Sequence, residues 1–481
     1  MAIGLARLAG TLVGLSGHQG TALPGMAAER VWPDALATLA GQLGAIVLVV
    51  GTNGKTTTAG LISEILKRGG ERPIANRSGA NMRQGIMTSL VRASDLRGRL
   101  KPSSSGPRAG VFEVDEVALG QILPDLGPSV IVATNLFRDQ LDRYGEADAV
   151  VDRWAAALET AAEGSVLVHC ADDPRLAMLA AGVHMPRRTF GLAGPPTDRE
   201  QSPKAEDGIA DDALIGDAIA DPITCRTCGR LLTYDWRSIG HIGSFSCPAG
   251  HIRRETPDVT VEVIAPSSPP DAGGRSTGAT VRLGGSFGDA TAQTGLIGLT
   301  SAYNIAGAVA AGTAIGRSVE EGARAIEGYA GPFGRLEWMK VDGRNVVLIL
   351  VKNTVSLAET VRLGPSLGAD VVLLGLNDAP ADGRDVSWIW DAPIAGLVAD
   401  RAVVLTGTRS GDLRLRIKYD QETAATPPRS IEQRPELAEA LDLAVASAPR
   451  GGVVAAAATY TAMLGLRAIM ERRGAVAAAP L

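Results

Sequence analysis

An apolar run from Ala45 to Val50 leads directly into a glycine-rich loop, GTNGKTTT at Gly51 to Thr58, and a helical pattern continues to about Arg68. A buried strand, a glycine loop and a helix in this order aim backbone N–H groups at phosphate oxygens beside a helix N-terminus. The pattern therefore predicts a strand, loop and helix unit that binds the phosphates of a nucleotide.

The side chains of the loop suit the same task. Lys55 supplies a cation for the β and γ phosphates, and Thr56 supplies a hydroxyl for Mg²⁺. The strict Walker pattern has Gly where this chain has Val49, so the loop is an atypical member of its class. The residues predicted to contact the nucleotide here are Gly51, Thr52, Asn53, Gly54, Lys55, Thr56 and Thr57.

Short apolar runs alternate with helical segments along most of the chain. After the loop they recur at 109–114, 129–134 and 165–169, and a second series begins at 346–351. Strands that alternate with helices predict mostly parallel sheets. We therefore expect an α/β protein with a larger first domain and a smaller α/β C-terminal domain.

Breaks in composition suggest the domain limits. Residues 1–44 form a short N-terminal extension, 45–330 a central domain, and 331–481 the C-terminal domain, with a boundary at the Gly- and Pro-containing GPFGR. Within the central domain, 190–275 has loop-like stretches on both sides of a cysteine cluster, so we expect an insertion there.

Charge and hydropathy exclude several classes of protein. The formal net charge is −5 and the pI is about 5.7, which argues against general binding to nucleic acid or anionic lipid. We expect no signal peptide and no transmembrane helix, because no apolar run approaches the roughly 18 residues that a span requires. The expected location is the cytoplasm.

Two acids follow the run at 109–114. Glu113 and Glu116 come at or after the predicted end of that strand, and ligands of open α/β sheets bind at the carboxyl edge. Carboxylate and hydroxyl oxygens suit Mg²⁺. We therefore expect a magnesium site formed by Thr56, Glu113 and Glu116.

Three of the four cysteines are close in sequence. Cys225 and Cys228 have Cys-x-x-Cys spacing, Cys247 follows at a zinc-ribbon distance, and His251 lies four residues beyond it. A Cys₃His set matches a structural zinc site. His241 is a less favoured fourth ligand, and a ribbon that has lost its metal is the alternative.

The loop and several later segments resemble the central ATPase domain of the Mur ligases. These segments are GTNGKTTT, VFEVDE at Val111 to Glu116, TSAYNIAGAVAA at Thr300 to Ala311, and GPFGRLE at Gly331 to Glu337. The resemblance implies ATP-dependent activation of a carboxylate as an acyl phosphate. It also implies that Asn304 and Arg335 contact the nucleotide and that Lys55 and Glu113 act in catalysis.

Within that family the chain is similar to the MurT group. Few residues precede the loop, ANRSGANMRQGI at Ala75 to Ile86 matches, and the C-terminal segment LNDAPADGRDVSWIWD at Leu376 to Asp391 matches as well. The resemblance implies amidation of the D-glutamate α-carboxylate of lipid II to D-isoglutamine, which would take place at the inner face of the membrane.

Such a reaction needs ammonia, and no cysteine of this chain lies in a nucleophile motif. The resemblance implies a separate glutaminase subunit of the GatD type, bound as a heterodimer. Asp385 is the residue expected to complete the catalytic triad of that partner, and Asp382 is the second choice.

The sequence departs from the group in two places. Lys352 and Asn353 are followed by Thr, Val and Ser where the group has Pro, Ala and Gly, and Gly250 replaces a fourth cysteine. Two other functions therefore stay open: a Mur-type ligase that adds an amino acid, and a non-catalytic, nucleotide-binding scaffold of a glutaminase complex.

Overall fold

The structure is a computed structural model. It describes residues 23–76, 79–101, 106–138, 147–196, 221–265, 278–327, 329, 331, 335–421 and 426–475. The whole sequence DQLDRYGE at 139–146 and most of GPFGR lie outside these residues, as does much of the predicted insertion.

The first sheet has nine strands. They are β1 (Ala45–Val50), β2 (Arg72–Ala75), β3 (Arg108–Glu113), β4 (Val130–Ala133), β5 (Val166–Cys170), β6 (Arg187–Leu192), β9 (Val259–Ala265), β10 (Ala279–Gly285) and β11 (Ala290–Thr294). Their order is β11-β10-β9-β6-β5-β4-β1-β3-β2, in which the β9–β10 and β10–β11 pairs are antiparallel and the other pairs are parallel.

Helices cover this sheet. They are α1 (Leu23–Val31), α2 (Ala35–Ala40), α3 (Lys55–Arg68), α4 (Arg83–Ala93), α5 (Leu119–Leu126), α6 (Ala147–Leu158), α7 (Pro174–Gly182), α8 (Leu299–Ala314) and α9 (Val319–Ile326). Helix α8 is rich in alanine and almost wholly buried, and it packs against β5, β6, β9 and α3. Its small side chains allow this close packing.

The second sheet has six strands. They are β12 (Arg335–Val341), β13 (Arg344–Leu350), β14 (Val371–Gly375), β15 (Ala402–Thr406), β16 (Ser430–Gln433) and β17 (Val453–Ala458). Their order is β12-β13-β17-β14-β15-β16, with only the β12–β13 pair antiparallel. The helices are α10 (Thr354–Leu367), α11 (Ile394–Val398), α12 (Ser410–Gln421), α13 (Leu437–Ser447), α14 (Tyr460–Arg472) and the 3₁₀ helix Ser387–Trp390.

A small hairpin forms a separate two-stranded sheet. It consists of β7 (Thr233–Ile239) and β8 (Ile242–Ser246), and it carries the cysteine cluster at its open end. The flanking strand β9 pairs with β6 in the large sheet, although it falls inside the predicted insertion at 190–275. Within 190–275, the described stretch that lies outside the large sheet is therefore shorter than the predicted insertion.

The architecture confirms the predicted fold class, with two α/β units whose sheets lie on either side of residues 328–334. The described part of the predicted N-terminal extension, residues 23–44, packs against the large sheet unit. Ala28, Leu36 and Leu39 are fully buried in the core of the large sheet unit. The exact domain limits at 44, 330 and 331 stay predictions.

Candidate active site

The glycine loop lies at the carboxyl end of β1 and has a backbone that only glycine adopts easily. Gly51 and Gly54 have φ angles of 136° and 86°. A Cβ atom on Gly51 would come within 2.1 Å of the Thr134 hydroxyl oxygen, and one on Gly54 within 2.0 Å of the Asn304 side-chain oxygen. Glycine is therefore required at both positions by conformation and by space.

The segment after β4 braces the loop. The side-chain oxygen of Asn135 accepts a 2.9 Å hydrogen bond from the backbone N–H of Asn53, and its amide nitrogen donates to the Asn53 carbonyl at 3.0 Å. The Thr134 hydroxyl donates to the same carbonyl at 2.8 Å. The loop is thus held in shape before any ligand arrives.

The structure brings both predicted acids to the first turn of α3. The Lys55 ammonium nitrogen lies 3.0 Å from a carboxylate oxygen of Glu116, and the Thr56 hydroxyl donates to a carboxylate oxygen of Glu113 at 2.7 Å. Burial of Lys55 favours the neutral amine, but the carboxylates of Glu116 and Glu113 outweigh it, so the pKa of Lys55 lies above its ordinary value.

The acids are positioned by their strand and by the side chains of Asn76 and Trp154. Glu113 ends β3 beside Val49 of β1, and its backbone N–H and C=O are both hydrogen-bonded by the side chain of Asn76, at 2.9 and 2.8 Å. The indole N–H of Trp154 donates to the Glu116 carbonyl at 2.9 Å. Sequence reasoning missed Asn76 and Trp154, because their partners are distant in the chain.

This arrangement fits a magnesium ion. Thr56 and Glu113 present a hydroxyl and a carboxylate oxygen side by side, and the carboxylate of Glu116 is buried against the neighbouring Lys55. Hard oxygen donors of this kind suit Mg²⁺, which also binds nucleotide phosphates.

Asn304 and Arg335 are the two residues outside the loop that are predicted to contact the nucleotide, and the structure describes them to different extents. The Asn304 side chain lies against Gly54 and accepts a 3.4 Å contact from the Thr58 hydroxyl, so it supports the loop. Its contact with a nucleotide base stays a prediction. Arg335 begins β12, and its side chain is outside the described residues.

Two residues of the C-terminal unit reach the loop. The Lys352 ammonium donates to the Thr52 carbonyl at 2.8 Å, and the Asn353 amide nitrogen lies 3.3 Å from the side-chain oxygen of Asn53. In the sequence, this polar pair is only the part of the altered motif that is kept. Its contact with the loop depends on how the two units meet, which no local pattern encodes.

A cavity of about 140 Å³ lies between the loop and the second unit. Loop residues, α8 and the start of α10 contribute polar groups, and the rest of the lining is mostly apolar. The polar part includes Asn53, Thr57, Thr300, Asn304, Lys352 and Glu359. Largely apolar clefts with a few directed polar groups are typical ligand sites.

A capping box takes the place of the missing Pro and Gly after Asn353. The Ser356 hydroxyl accepts hydrogen bonds from the backbone N–H groups of Lys352 and Asn353, at 2.9 and 3.1 Å. In return, the Ser356 N–H donates to the Asn353 side-chain oxygen at 3.0 Å. These reciprocal bonds at the start of α10 hold the polar pair in place.

The two candidate aspartates differ in environment. Asp385 is exposed, and its carboxylate accepts a local hydrogen bond from the Ser387 N–H at 2.8 Å, which lowers the pKa of Asp385. Asp382 is buried and accepts bonds from both the N–H and the hydroxyl of Thr461 at the start of α14. Asp382 therefore serves the fold.

The cysteine cluster is assembled as predicted. The ligand atoms of Cys225, Cys228, Cys247 and His251 all lie within 4.8 Å of one another, and Cys228 Sγ is 3.6 Å from Cys247 Sγ. A tetrahedral site with zinc–sulfur bonds of about 2.3 Å has sulfur–sulfur edges of roughly 3.7 Å, so the set fits zinc. His241 lies elsewhere, buried 3.5 Å from Asp173.

None of the helices in the described part of the chain has both the length and the apolar character needed to cross a bilayer.

Comparison with known proteins agrees with this geometry. The family described as Mur ligase middle domain matches residues 49–209, and the family described as MurT ligase C-terminal matches residues 350–463. The lipid II isoglutaminyl synthase (glutamine-hydrolyzing) subunit MurT of Staphylococcus aureus (strain N315) is 32% identical over 421 residues, which cover 87% of each chain. The subunit of the same name from Streptococcus pneumoniae (strain ATCC BAA-255 / R6) is 29% identical over 482 residues, covering 96% of this chain and 97% of the relative.

Solved structures show the same fold at low identity. A pseudomurein peptide ligase type C from Methanothermus fervidus has a TM-score of 0.62 at 17% identity, covering 89% of this chain and 79% of its own. MurF ligase from Thermotoga maritima in complex with ADP has a TM-score of 0.60 at 12% identity, covering 91% and 82%.

The fold and the phosphate loop with its acids define an ATP-dependent ligase of the Mur type. The chain belongs to the Mur ligase family, within its MurT group.

Ser356→Ala removes the hydroxyl that organises Lys352 and Asn353. We expect a fall in kcat of roughly tenfold, because losing one such cap costs about 1 kcal/mol of local order. ATP turnover at saturating substrate measures it. Ser447→Ala is the matched control, since the Ser447 hydroxyl bonds only within its own helix, to the Leu443 carbonyl. An unchanged kcat in folded Ser356→Ala contradicts the positioning role.

Proposed function

We propose that this chain amidates the D-glutamate α-carboxylate of lipid II to D-isoglutamine, using ATP and ammonia from a GatD-like glutaminase subunit. The observation that carries the proposal is the meeting of the two family units at one cavity. There Lys352 and Asn353, within the stretch that matches the MurT C-terminal family, contact the phosphate loop.

The residues divide the chemistry between them. The loop N–H groups and Lys55 hold the phosphates of ATP, and Thr56, Glu113 and Glu116 hold Mg²⁺, which offsets phosphate charge when it is bound. A carboxylate oxygen of the acceptor attacks the γ phosphorus, and ADP leaves. Ammonia then attacks the acyl carbon of the acyl phosphate, loses a proton, and inorganic phosphate leaves.

A separate source of ammonia is supported by the thiols. Cys170 is fully buried, and burial raises the pKa of its thiol well above the ordinary value. The other three cysteines converge on the cluster with His251. None of these thiols is both exposed and activated, as a glutaminase nucleophile must be.

The surface around Asp385 supports a protein partner. Trp390 and Tyr419 are 43% and 52% exposed, and their rings lie 5.9 Å apart, with Leu415 exposed on the same helix as Tyr419. Exposed aromatic groups are typical of interface centres, and Asp385 lies five residues before Trp390 in the chain. We assign this surface to the glutaminase and Asp385 to the orientation of its catalytic histidine.

The remaining assignments follow from the same proposal. The Cys₃His cluster binds structural zinc, and the enzyme works in the cytoplasm at the inner face of the membrane, where a lipid-linked acceptor is accessible. An amino-acid ligase and a non-catalytic scaffold remain as the outcomes that the experiments below separate.

The direct test is amidation of lipid II by the chain co-expressed with its cognate glutaminase. We expect amidated lipid II, ADP, phosphate and glutamate, and we expect ammonium salts to replace glutamine. Lys55→Met should reduce amidation by at least about a hundredfold, because a cation on the transferring phosphate is lost. Mass spectrometry of the product and ADP release provide the measurements.

A double variant controls for folding in that test. Lys55→Met leaves Glu116 buried without its cation, whereas Lys55→Met with Glu116→Gln removes both charges and should keep the melting temperature near that of the wild type. Full amidation by either folded variant would contradict the assignment of this site as the ATP-dependent ligase centre. ADP formation on another carboxylate, with none on lipid II, would exclude the isoglutaminyl activity alone, and a complex without ATP cleavage would indicate a scaffold.

The aspartates can be separated by stability and by glutamine hydrolysis. Asp385→Asn should lower glutaminase activity of the complex about a hundredfold, with an unchanged melting temperature and unchanged amidation from ammonium. Asp382→Asn should instead destabilise the fold by about 1–3 kcal/mol, because it weakens the buried bonds to Thr461. Normal glutamine hydrolysis by the Asp385 variant would refute its role.

Zinc content tests the cluster. The purified full chain should contain about one zinc ion, and Cys228→Ser should lose it and melt at a lower temperature. Cys170→Ala is the control, since Cys170 lies in β5 outside the cluster, and it should retain the metal. A folded, metal-free wild-type chain purified from zinc-replete medium would indicate a ribbon without zinc.

A further inference from the structure

Tyr460 is the first residue of α14 and directly follows the loop at the carboxyl end of β17. Strand β17 lies inside the second sheet, between β13 and β14. Ligands of open α/β sheets bind at the carboxyl ends of such strands. Lys352 follows the parallel strand β13 at the same edge and contacts the phosphate loop, so this edge of the second sheet faces the loop. Tyr460 is therefore placed at the junction of the two units.

The first turn of α14 is held in place by side chains and backbone from the segment after β14. The Asp382 carboxylate accepts hydrogen bonds from the N–H and the hydroxyl of Thr461. The Asn377 N–H donates to the Thr459 hydroxyl oxygen, and the Asn377 amide nitrogen donates to the Thr461 hydroxyl oxygen, both at 2.9 Å. The backbone of Tyr460, between these two threonines, is thereby fixed.

The ring of Tyr460 is anchored in one unit, and its hydroxyl approaches the other. The ring packs against the core that α13 and α14 form with the second sheet. A Cβ atom on Gly79, in the segment after β2, would lie 3.7 Å from the Tyr460 hydroxyl oxygen. Tyr460 is half-buried, and its hydroxyl has no hydrogen-bond partner among the described residues. The hydroxyl is therefore available to a ligand that lies between the units.

The segment that Tyr460 approaches also supports Glu113. The side-chain amide nitrogen of Asn76 donates to the Ala80 carbonyl at 2.8 Å, next to Gly79. The same Asn76 side chain bonds the backbone N–H and C=O of Glu113. Tyr460 thus faces, from the second unit, the part of the first unit that holds the acid predicted to bind magnesium.

The hydroxyl of Tyr460 stays protonated in this setting. Burial raises the pKa of Tyr460 above its ordinary value, and the carboxylates of Asp382 and Glu113 raise it further. At neutral pH the group is therefore an uncharged donor, which can bind an anion without adding negative charge. A carboxylate or phosphoryl oxygen is the acceptor that suits such a donor.

The direction of phosphoryl transfer indicates which anion this is. The attacking oxygen and the leaving ADP oxygen lie on opposite sides of the γ phosphorus. The loop and Lys55 hold the ADP side, so the acceptor carboxylate comes from the other side. Tyr460 is a donor that the second unit places near Glu113, where the acceptor has to arrive.

We propose that the Tyr460 hydroxyl donates a hydrogen bond to an oxygen of the reacting carboxylate of the acceptor, and keeps this bond when the carboxylate has become an acyl phosphate. The proposal rests on the proposed function, since it concerns the acceptor of that reaction. It makes Tyr460 a residue of the second unit that contacts the reacting group.

The test uses the full chain in complex with its cognate glutaminase, with ammonium at saturation as the amine, so that glutamine hydrolysis does not contribute. Tyr460→Phe should lower kcat/KM for lipid II roughly ten- to a hundredfold, because a hydrogen bond to a charged group is lost. The affinity for a non-hydrolysable ATP analogue, measured by titration calorimetry, should stay unchanged. The melting temperature should also stay unchanged, because the ring is kept.

Tyr234→Phe is the matched control, since the buried Tyr234 hydroxyl lies on β7 and has no hydrogen-bond partner among the described residues. It should amidate lipid II as the wild type does. An unchanged kcat/KM in folded Tyr460→Phe would overturn the proposal. An equal loss of affinity for the ATP analogue would overturn it too, because the hydroxyl would then contact the nucleotide. A wild-type complex that binds the analogue but leaves lipid II unmodified would refute the proposed function, and this proposal with it.

Discussion

The buried ammonium of Lys55 is the constraint on which the site depends. Lys55 is only 7% exposed at the carboxyl edge of a parallel sheet, where an isolated charge is expensive. Glu116 at 3.0 Å compensates it, and Glu113 adds a second negative charge while accepting the Thr56 hydroxyl. Because the acids follow β3 and Lys55 follows β1, the parallel pairing of these two strands is what brings the opposite charges together.

The contacts between the two units also lie at this carboxyl edge of the large sheet. The loop carbonyl of Thr52 faces the second unit, and Lys352 donates to it, so the start of α10 is attached to the loop itself. The capping box of Asn353 and Ser356 gives this attachment a defined geometry without Pro or Gly. An enzyme that phosphorylates a carboxylate and then lets an amine attack the acyl phosphate needs its two units in a fixed relative position. The contacts of Lys352 and Asn353 with the loop hold them in that position.

Features of the chain beyond the core ligase serve different ends. Asp385, Trp390 and Tyr419 are exposed on the C-terminal unit, whereas Asp382 is buried and bonded to Thr461 at the start of α14. The cysteine segment reaches inward, where Ile239 and Ile242 line the cavity. The first of these features is therefore at the surface, and the second is in the interior.

Sequence by itself determined the parts that depend on local pattern. The glycines, Lys55 and Thr56 are contiguous, so their spacing alone specifies a phosphate loop at the end of a strand. The cysteine spacing likewise predicted a cluster, because its knuckles are short-range structures. The alternation of apolar runs was enough for an α/β fold, since burial repeats with the period of each element.

Tertiary structure alone decided the contacts between segments far apart in the chain. Asn304 is close to the loop in space, but it supports Gly54, and no sequence spacing distinguishes that role from contact with a base. Asp382 and Asp385 look alike in the sequence, yet one is buried against Thr461 and the other is exposed. The hydrogen bond from Lys352 to the Thr52 carbonyl joins residues 300 positions apart in the chain. Ile242 and Asn53, which line the same cavity, are also far apart in sequence, and only the folded chain brings these residues together.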